Sequence, residues 1–187
     1  MTYQYTQNWF DGNKLVWDSI IPQLLPNKIL EVGSYEGNSA CYMIETIGNH
    51  KDIEIHCVDT WEGSIEHQGG GHAQADMNAV EQRFQNNTKT AIENVSKTIY
   101  LVNHKGYSNV VLPQFLADGK QEYFDFIYID GSHQAPDVLF DAVVAFNLLK
   151  VGGVMAFDDY LWSEPLPTGL DPIRCPKIAV DSFINIY

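Results

Sequence analysis

The segment from Phe124 to Tyr160 constrains this chain more than any other. It reads Phe124-Asp-Phe-Ile-Tyr-Ile-Asp130-Gly-Ser-His133, continues as a helical stretch to Leu148-Leu149-Lys150, and closes with Val151-Gly-Gly-Val-Met-Ala-Phe-Asp158-Asp159-Tyr160. Two short apolar runs that each end in acid, joined by one amphipathic helix, predict a strand–helix–strand unit. The right-handed crossover rule makes its strands parallel in one sheet. Both acidic ends then leave the carboxyl edge, where open α/β sheets hold their ligands. Asp130, Asp158 and Asp159 are therefore expected to converge, with His133 a turn away. Three carboxylates at one spot repel unless something positive sits among them, and a hard divalent cation is the simplest candidate. Alone, Asp130 reads as a helix cap, because Asp is a good N-cap. The four residues together read as a site.

A second unit lies upstream. Lys28-Ile-Leu-Glu31-Val-Gly33 is a short buried strand that breaks into Ser34-Tyr35-Glu36-Gly37-Asn38-Ser39 before a helix through Ile47. Strand, glycine turn and helix start make the nucleotide-binding corner of a doubly wound sheet. Gly33 would let a ligand approach the backbone, and Gly37 would permit the tight turn. The Gly-x-x-x-Gly spacing lacks the dinucleotide fingerprint. Ile53–Asp59 is the next strand, and its terminal acid stands where a ribose diol is held; capping is the alternative role. Trp61, after Thr60, is placed to lie against a purine. A third strand, Thr98–Val102, leads to Gly106 and Ser108, which would border the adenine side of a nucleoside pocket.

The remaining stretches read as follows. Asn13 is expected to cap a helix over Lys14–Leu25 that Pro22 bends or restarts, with Trp9, Phe10 and Trp17 as its packing. Further helices are expected at Met77–Ile92, Val110–Ala117 and Lys177–Ile186. Glu62–Asp76, with Gly69–Gly71 flanked by His67 and His72, suits a lid over the site, its histidines solvated.

These 187 residues, 45% hydrophobic, suit one domain over 1–187 with a helical lead-in over 1–27. The net charge of −13, with 24 acids against 11 Lys plus Arg and no basic cluster, argues against nucleic acid or an anionic membrane as partner. Cys41, Cys57 and Cys175 have no metal-ligand spacing and read as buried thiols of a reducing compartment. With no signal-like start and no membrane-length apolar run, a cytoplasmic protein is expected.

Taken together, these residues resemble the class I S-adenosylmethionine (SAM)-dependent methyltransferases. Glu31-Val-Gly-Ser-Tyr-Glu-Gly37-Asn-Ser39 resembles the first motif of catechol O-methyltransferases. Val58-Asp59-Thr60-Trp61 and Ile129-Asp130-Gly-Ser-His133 resemble the macrolide-sugar and aminocoumarin O-methyltransferases. The resemblance implies a Rossmann-like doubly wound α/β fold with a mostly parallel sheet flanked by helices. It implies a SAM pocket from Glu31, Gly33, Ser34, Tyr35, Gly37, Asn38, Ser39, Asp59, Thr60, Trp61, Gly106, Ser108 and Asp130. In that pocket Asp59 would hold the ribose and Trp61 would cover the adenine. It further implies Mg²⁺, or another divalent cation, on Asp130, Asp158 and Asp159, with His133 as general base toward a small-molecule hydroxyl. The family continues with sixth and seventh strands beyond the point where this sequence stops; unless truncation has removed them, Val154–Phe157 is left at a sheet edge and self-association is open. A metal-independent methyltransferase and a non-catalytic SAM-binding or scaffold protein are the alternatives.

Overall fold

The computed structural model describes residues 2–69, 71 and 73–187; His72 of the expected lid lies outside them. The elements follow in strict alternation after a leading helix: α1 (Asp11–Leu24), β1 (Lys28–Val32), α2 (Asn38–Ile47), β2 (Ile53–Asp59), α3 (Met77–Glu93), β3 (Ile99–Lys105), α4 (Ser108–Ala117), β4 (Phe124–Ile129), α5 (Ala135–Leu148), β5 (Leu149–Phe157) and α6 (Lys177–Ile186). The strands form one parallel sheet in the order β3-β2-β1-β4-β5. The chain switches direction across the sheet between β1 and β4, and this is where a doubly wound sheet opens a crevice at its carboxyl edge. Among the described residues β5 is an edge strand, as expected from the absence of further strands.

Period-two alternation in the strands divides the core into two layers. Ile29, Ile55, Cys57 and Tyr128 face α1, α2 and α3, where Trp17, Ile21, Met43, Ile44 and Phe84 bury their side chains. Leu30, Val32, Val58, Ile127 and Ile129 face the opposite layer, with Leu112 and Phe115 of α4, Ala142 and Leu148 of α5, and Phe183 of α6. Glu31 falls in step with Ile29 and so points under α2, with no exposed surface.

Several boundaries depart from those expected. Helix α1 begins at Asp11, so Asn13 lies inside it, and Pro22 neither breaks nor restarts it. Only the last turn follows Pro22, and the helix ends at Leu25 in the left-handed region (φ 41°). α4 opens two residues earlier than predicted and carries Pro113 within it. β5 starts directly from α5 at Leu149, and the pairing shift between Phe124 and Phe126 absorbs the Gly152-Gly153 pair.

Candidate active site

The loops at the carboxyl edge enclose a cleft of about 1390 Å³, walled by the β1–α2 turn, the ends of β2, β3 and β4, the 62–76 segment and the start of α5. In the first turn, Glu31 accepts from Ser34 Oγ and Ser39 Oγ, each at 2.5 Å. This ties the strand to the start of α2. Burial raises its carboxyl to about pH 7 despite those two hydroxyl donors. A carboxyl raised on folding favours the native state at low pH, and that advantage is lost as pH climbs from the unfolded value near 4.5 through 7. Glu31→Gln should therefore be most costly below about pH 4.5. Its cost should shrink by up to about 3 kcal/mol by pH 8 in denaturant titrations.

Gly33 and Gly37 both have positive φ (85° and 79°), and each also makes room for a neighbouring part of the chain. A Cβ on Gly33 would stand 2.0 Å from the Asp130 carbonyl oxygen, so the missing side chain lets the β1 and β4 ends come together. A Cβ on Gly37 would lie 2.9 Å from the Phe84 ring. Gly33 also lines the cleft, so this chain-on-chain contact stands beside the expected approach of a ligand.

Asp59 uses its carboxylate on the same turn. Oδ2 accepts from Ser34 N (2.8 Å) and Tyr35 N (2.9 Å), and Oδ1 from Trp61 N (2.7 Å). A carboxylate offers about four acceptor positions, three of them are used here, and Asp59 lines the cleft. Trp61 does not cover that cleft. Its ring is 5% exposed, packs on Phe84 at 4.8 Å, and donates Nε1–H to the Tyr35 carbonyl at 3.0 Å. The turn at Trp61 (φ 48°) swings the indole into the core, which corrects the adenine-cover assignment. Ser34, Tyr35, Asn38, Ser39, Thr60, Gly106 and Ser108 do line the cleft, as predicted. His67, expected to be solvated, instead stacks on Tyr35 (5.3 Å) and meets Trp9 edge-on (6.0 Å).

At the other end, Asp130, His133 and Asp159 bring one ligand atom each to within 4.8 Å of one another. His133 Nε2 lies 2.8 Å from Asp159 Oδ2, and its ring rests against Trp162 at 4.3 Å. Burial, then the charges of Asp158 and Asp159, raise the Asp130 carboxyl well above the usual range. Asp158 departs from the expected trio. Its Oδ2 accepts from Asn13 Nδ2 of α1 at 2.6 Å and from the Tyr128 hydroxyl, and its Oδ1 from the Asp159 N–H at 2.8 Å. Neighbouring residues leaving a strand point to opposite faces, so only one of two adjacent acids can turn toward His133. Two carboxylates and an imidazole within one small volume are a fitting donor set for a divalent cation.

Asn13, Tyr128 and Trp162 also line the cleft and had not been predicted there, and Trp9, expected as packing, lines it as well. For Tyr128 a signal existed, since a core tyrosine needs a partner for its hydroxyl. For Asn13 none did, because its partner lies 145 residues away.

A Rossmann-like sheet with a glycine corner at β1, an acid ending β2 and an acidic cluster past β4 and β5 defines the class I SAM-dependent methyltransferases. A family model described as a methyltransferase domain matches residues 30–160, and the chain belongs to that family. No curated protein matches it in sequence. Solved structures share its fold. An O-methyltransferase from Bacillus cereus in complex with SAH superposes with a TM-score of 0.63 at 17% identity, over 97% of this chain and 71% of that one. TomG from Streptomyces achromogenes, an O-methyltransferase of tomaymycin synthesis in complex with SAM, gives 0.61 at 15%, over 94% and 67%. A TDP-rhamnose 3'-O-methyltransferase of calicheamicin biosynthesis gives 0.58 at 18%, over 94% and 71%. Among the described residues no helix is long and apolar enough to cross a membrane.

Proposed function

We propose that the protein transfers a methyl group from SAM to a hydroxyl oxygen of a small molecule, with a divalent cation on the acidic cluster and His133 as general base. The observation that carries this reading is the meeting of Asp130, His133 and Asp159 in the same cleft as the glycine corner. SAM supplies an electrophilic methyl on a sulfonium; the Ser34–Ser39 turn and Asp59 would hold its methionine and ribose parts. Asp130 and Asp159 would hold the cation, with Asp158 supporting from the α1 side. When bound, such an ion supplies Lewis acidity that lowers the pKa of an acceptor hydroxyl.

His133 takes the acceptor's proton on its imidazole, whose reference pKa of about 6.5 suits neutral pH. Asp159 fixes the ring and stabilises the imidazolium that forms, while Trp162 packs against it. The rest is alignment of the acceptor oxygen behind the methyl carbon, an orientation effect.

A metal-free version of the same reaction is favoured by one observation. The His133–Asp159 pair at 2.8 Å is already a base with its orienting carboxylate, and Asp158 is engaged by Asn13 and Tyr128. Calorimetry with SAM and Mg²⁺, followed by turnover with and without EDTA, separates the two. The metal reading expects SAM to bind and chelation to abolish turnover, with recovery on adding Mg²⁺. Turnover indifferent to EDTA leaves the metal-free version, and absence of SAM binding ends both.

A further inference from the structure

The walls of the cleft carry a charge pattern that bears on what the acceptor can be. Seven carboxyl side chains line it, and among the described lining residues there is no Lys and no Arg. One of the seven, Glu36, is already paired with a cation, and two further cations are held by acids outside the lining. Arg83 Nε holds Glu36 at 2.5 Å, Lys105 holds Glu81 at 2.5 Å, and Arg174 holds Glu164 at 2.5 Å. Where no metal ion mediates, phosphate and carboxylate recognition draws on Arg or Lys, or else on free N–H groups at a helix start. The helix starts at this cleft do not offer that freely. The first turn of α5 carries Asp137, which accepts from Ser132 Oγ at 2.7 Å. α4 begins at Ser108, beside the buried Asp141. The start of α2 belongs to the glycine corner.

A divalent cation on Asp130 and Asp159 would offset two charges and leave the surroundings negative. Trp9, Phe140 and Trp162 add aromatic side chains to the same lining. Faces of this kind suit planar rings and attract organic cations.

We infer that the acceptor is a neutral or cationic hydroxylated ring compound, and that the protein walls of the cleft disfavour acceptors bearing phosphate or carboxylate groups. This rests on the methyl-transfer reading for the word acceptor, but the charge preference belongs to the cleft itself. The test is a ligand-observed NMR screen of the metal-free protein loaded with S-adenosylhomocysteine, so that no ion bridges an anionic group to the acids. The fragment set holds equal numbers of cationic, neutral and anionic hydroxylated rings, with TDP-rhamnose as an added anionic probe. Cleft binding is scored by shifts of the Trp9 and Trp162 indole N–H signals.

Anionic fragments should make up no more than about one-tenth of the cleft binders, and TDP-rhamnose should not compete with the neutral ones. Parity between anionic and neutral binders, or tight TDP-rhamnose binding, overturns the inference. Asp137→Lys should raise the anionic share several-fold, and an unchanged share also counts against it. Should S-adenosylhomocysteine fail to bind in calorimetry, the methyl-transfer reading fails by itself. The same screen on the unliganded protein then still reads the charge preference.

Discussion

Replacing His133 by alanine should lower methyl transfer by about 10²–10⁴-fold while leaving SAM affinity unchanged. Its removal takes away a proton acceptor, while Asp59 and the Ser34–Ser39 turn, which would hold SAM, stay in place. Two roles are open to it in the geometry, base or cation ligand, because its Nε2 lies within the same 4.8 Å group as the two carboxylates. They differ in how the variant responds to metal. If His133 is the base, raising Mg²⁺ does not restore turnover. If it is chiefly a ligand, excess Mg²⁺ does. An unaltered rate in His133→Ala would remove both roles and leave the cluster without a catalytic imidazole.

Gly33→Ala should cost about 2–5 kcal/mol of stability, measured by denaturant unfolding, and should open the cleft at the same time. The left-handed backbone there costs an L-residue about 1–2 kcal/mol. The new methyl would also collide with the Asp130 carbonyl, 2.0 Å from the ideal Cβ position, and overpacking of that kind costs about 1–3 kcal/mol more. The obstacle is backbone, which cannot rotate aside as a side chain can. Relief requires β1 and β4 to part, and Asp130 would move with β4. The variant that folds should therefore bind Mg²⁺ more weakly as well as being less stable. Wild-type stability in Gly33→Ala would show that the strand ends do not approach as closely as described.

Much of the fold was legible because strand and helix periods are local. Apolar runs of five to seven residues ending in Glu31-Val-Gly33, Asp59 and Asp130, separated by amphipathic stretches, specify a parallel sheet almost without alternatives. The candidate site was legible to the extent that chain ends of parallel strands must share an edge, which brought Asp130, His133 and Asp159 together as expected. The assignments that failed depended on a single dihedral or a single long-range contact. Trp61 follows the acid of β2 in sequence, yet one positive φ sends its ring into the core beside Phe84. Pro22 is a helix breaker in isolation, but α1 has only its last turn beyond it.

By itself, then, the chain's order of residues determined the sheet, the edge at which ligands would sit and the acids delivered to that edge. Each of these follows from repeating backbone geometry and crossover handedness. Only the tertiary structure decided which acid of the Asp158-Asp159 pair turns toward His133, and that Asn13 and Tyr128 claim the other. It also decided that Gly33 serves a strand contact. Those outcomes depend on where α1 and β4 come to rest against β5, and packing between segments far apart in sequence has no local signature.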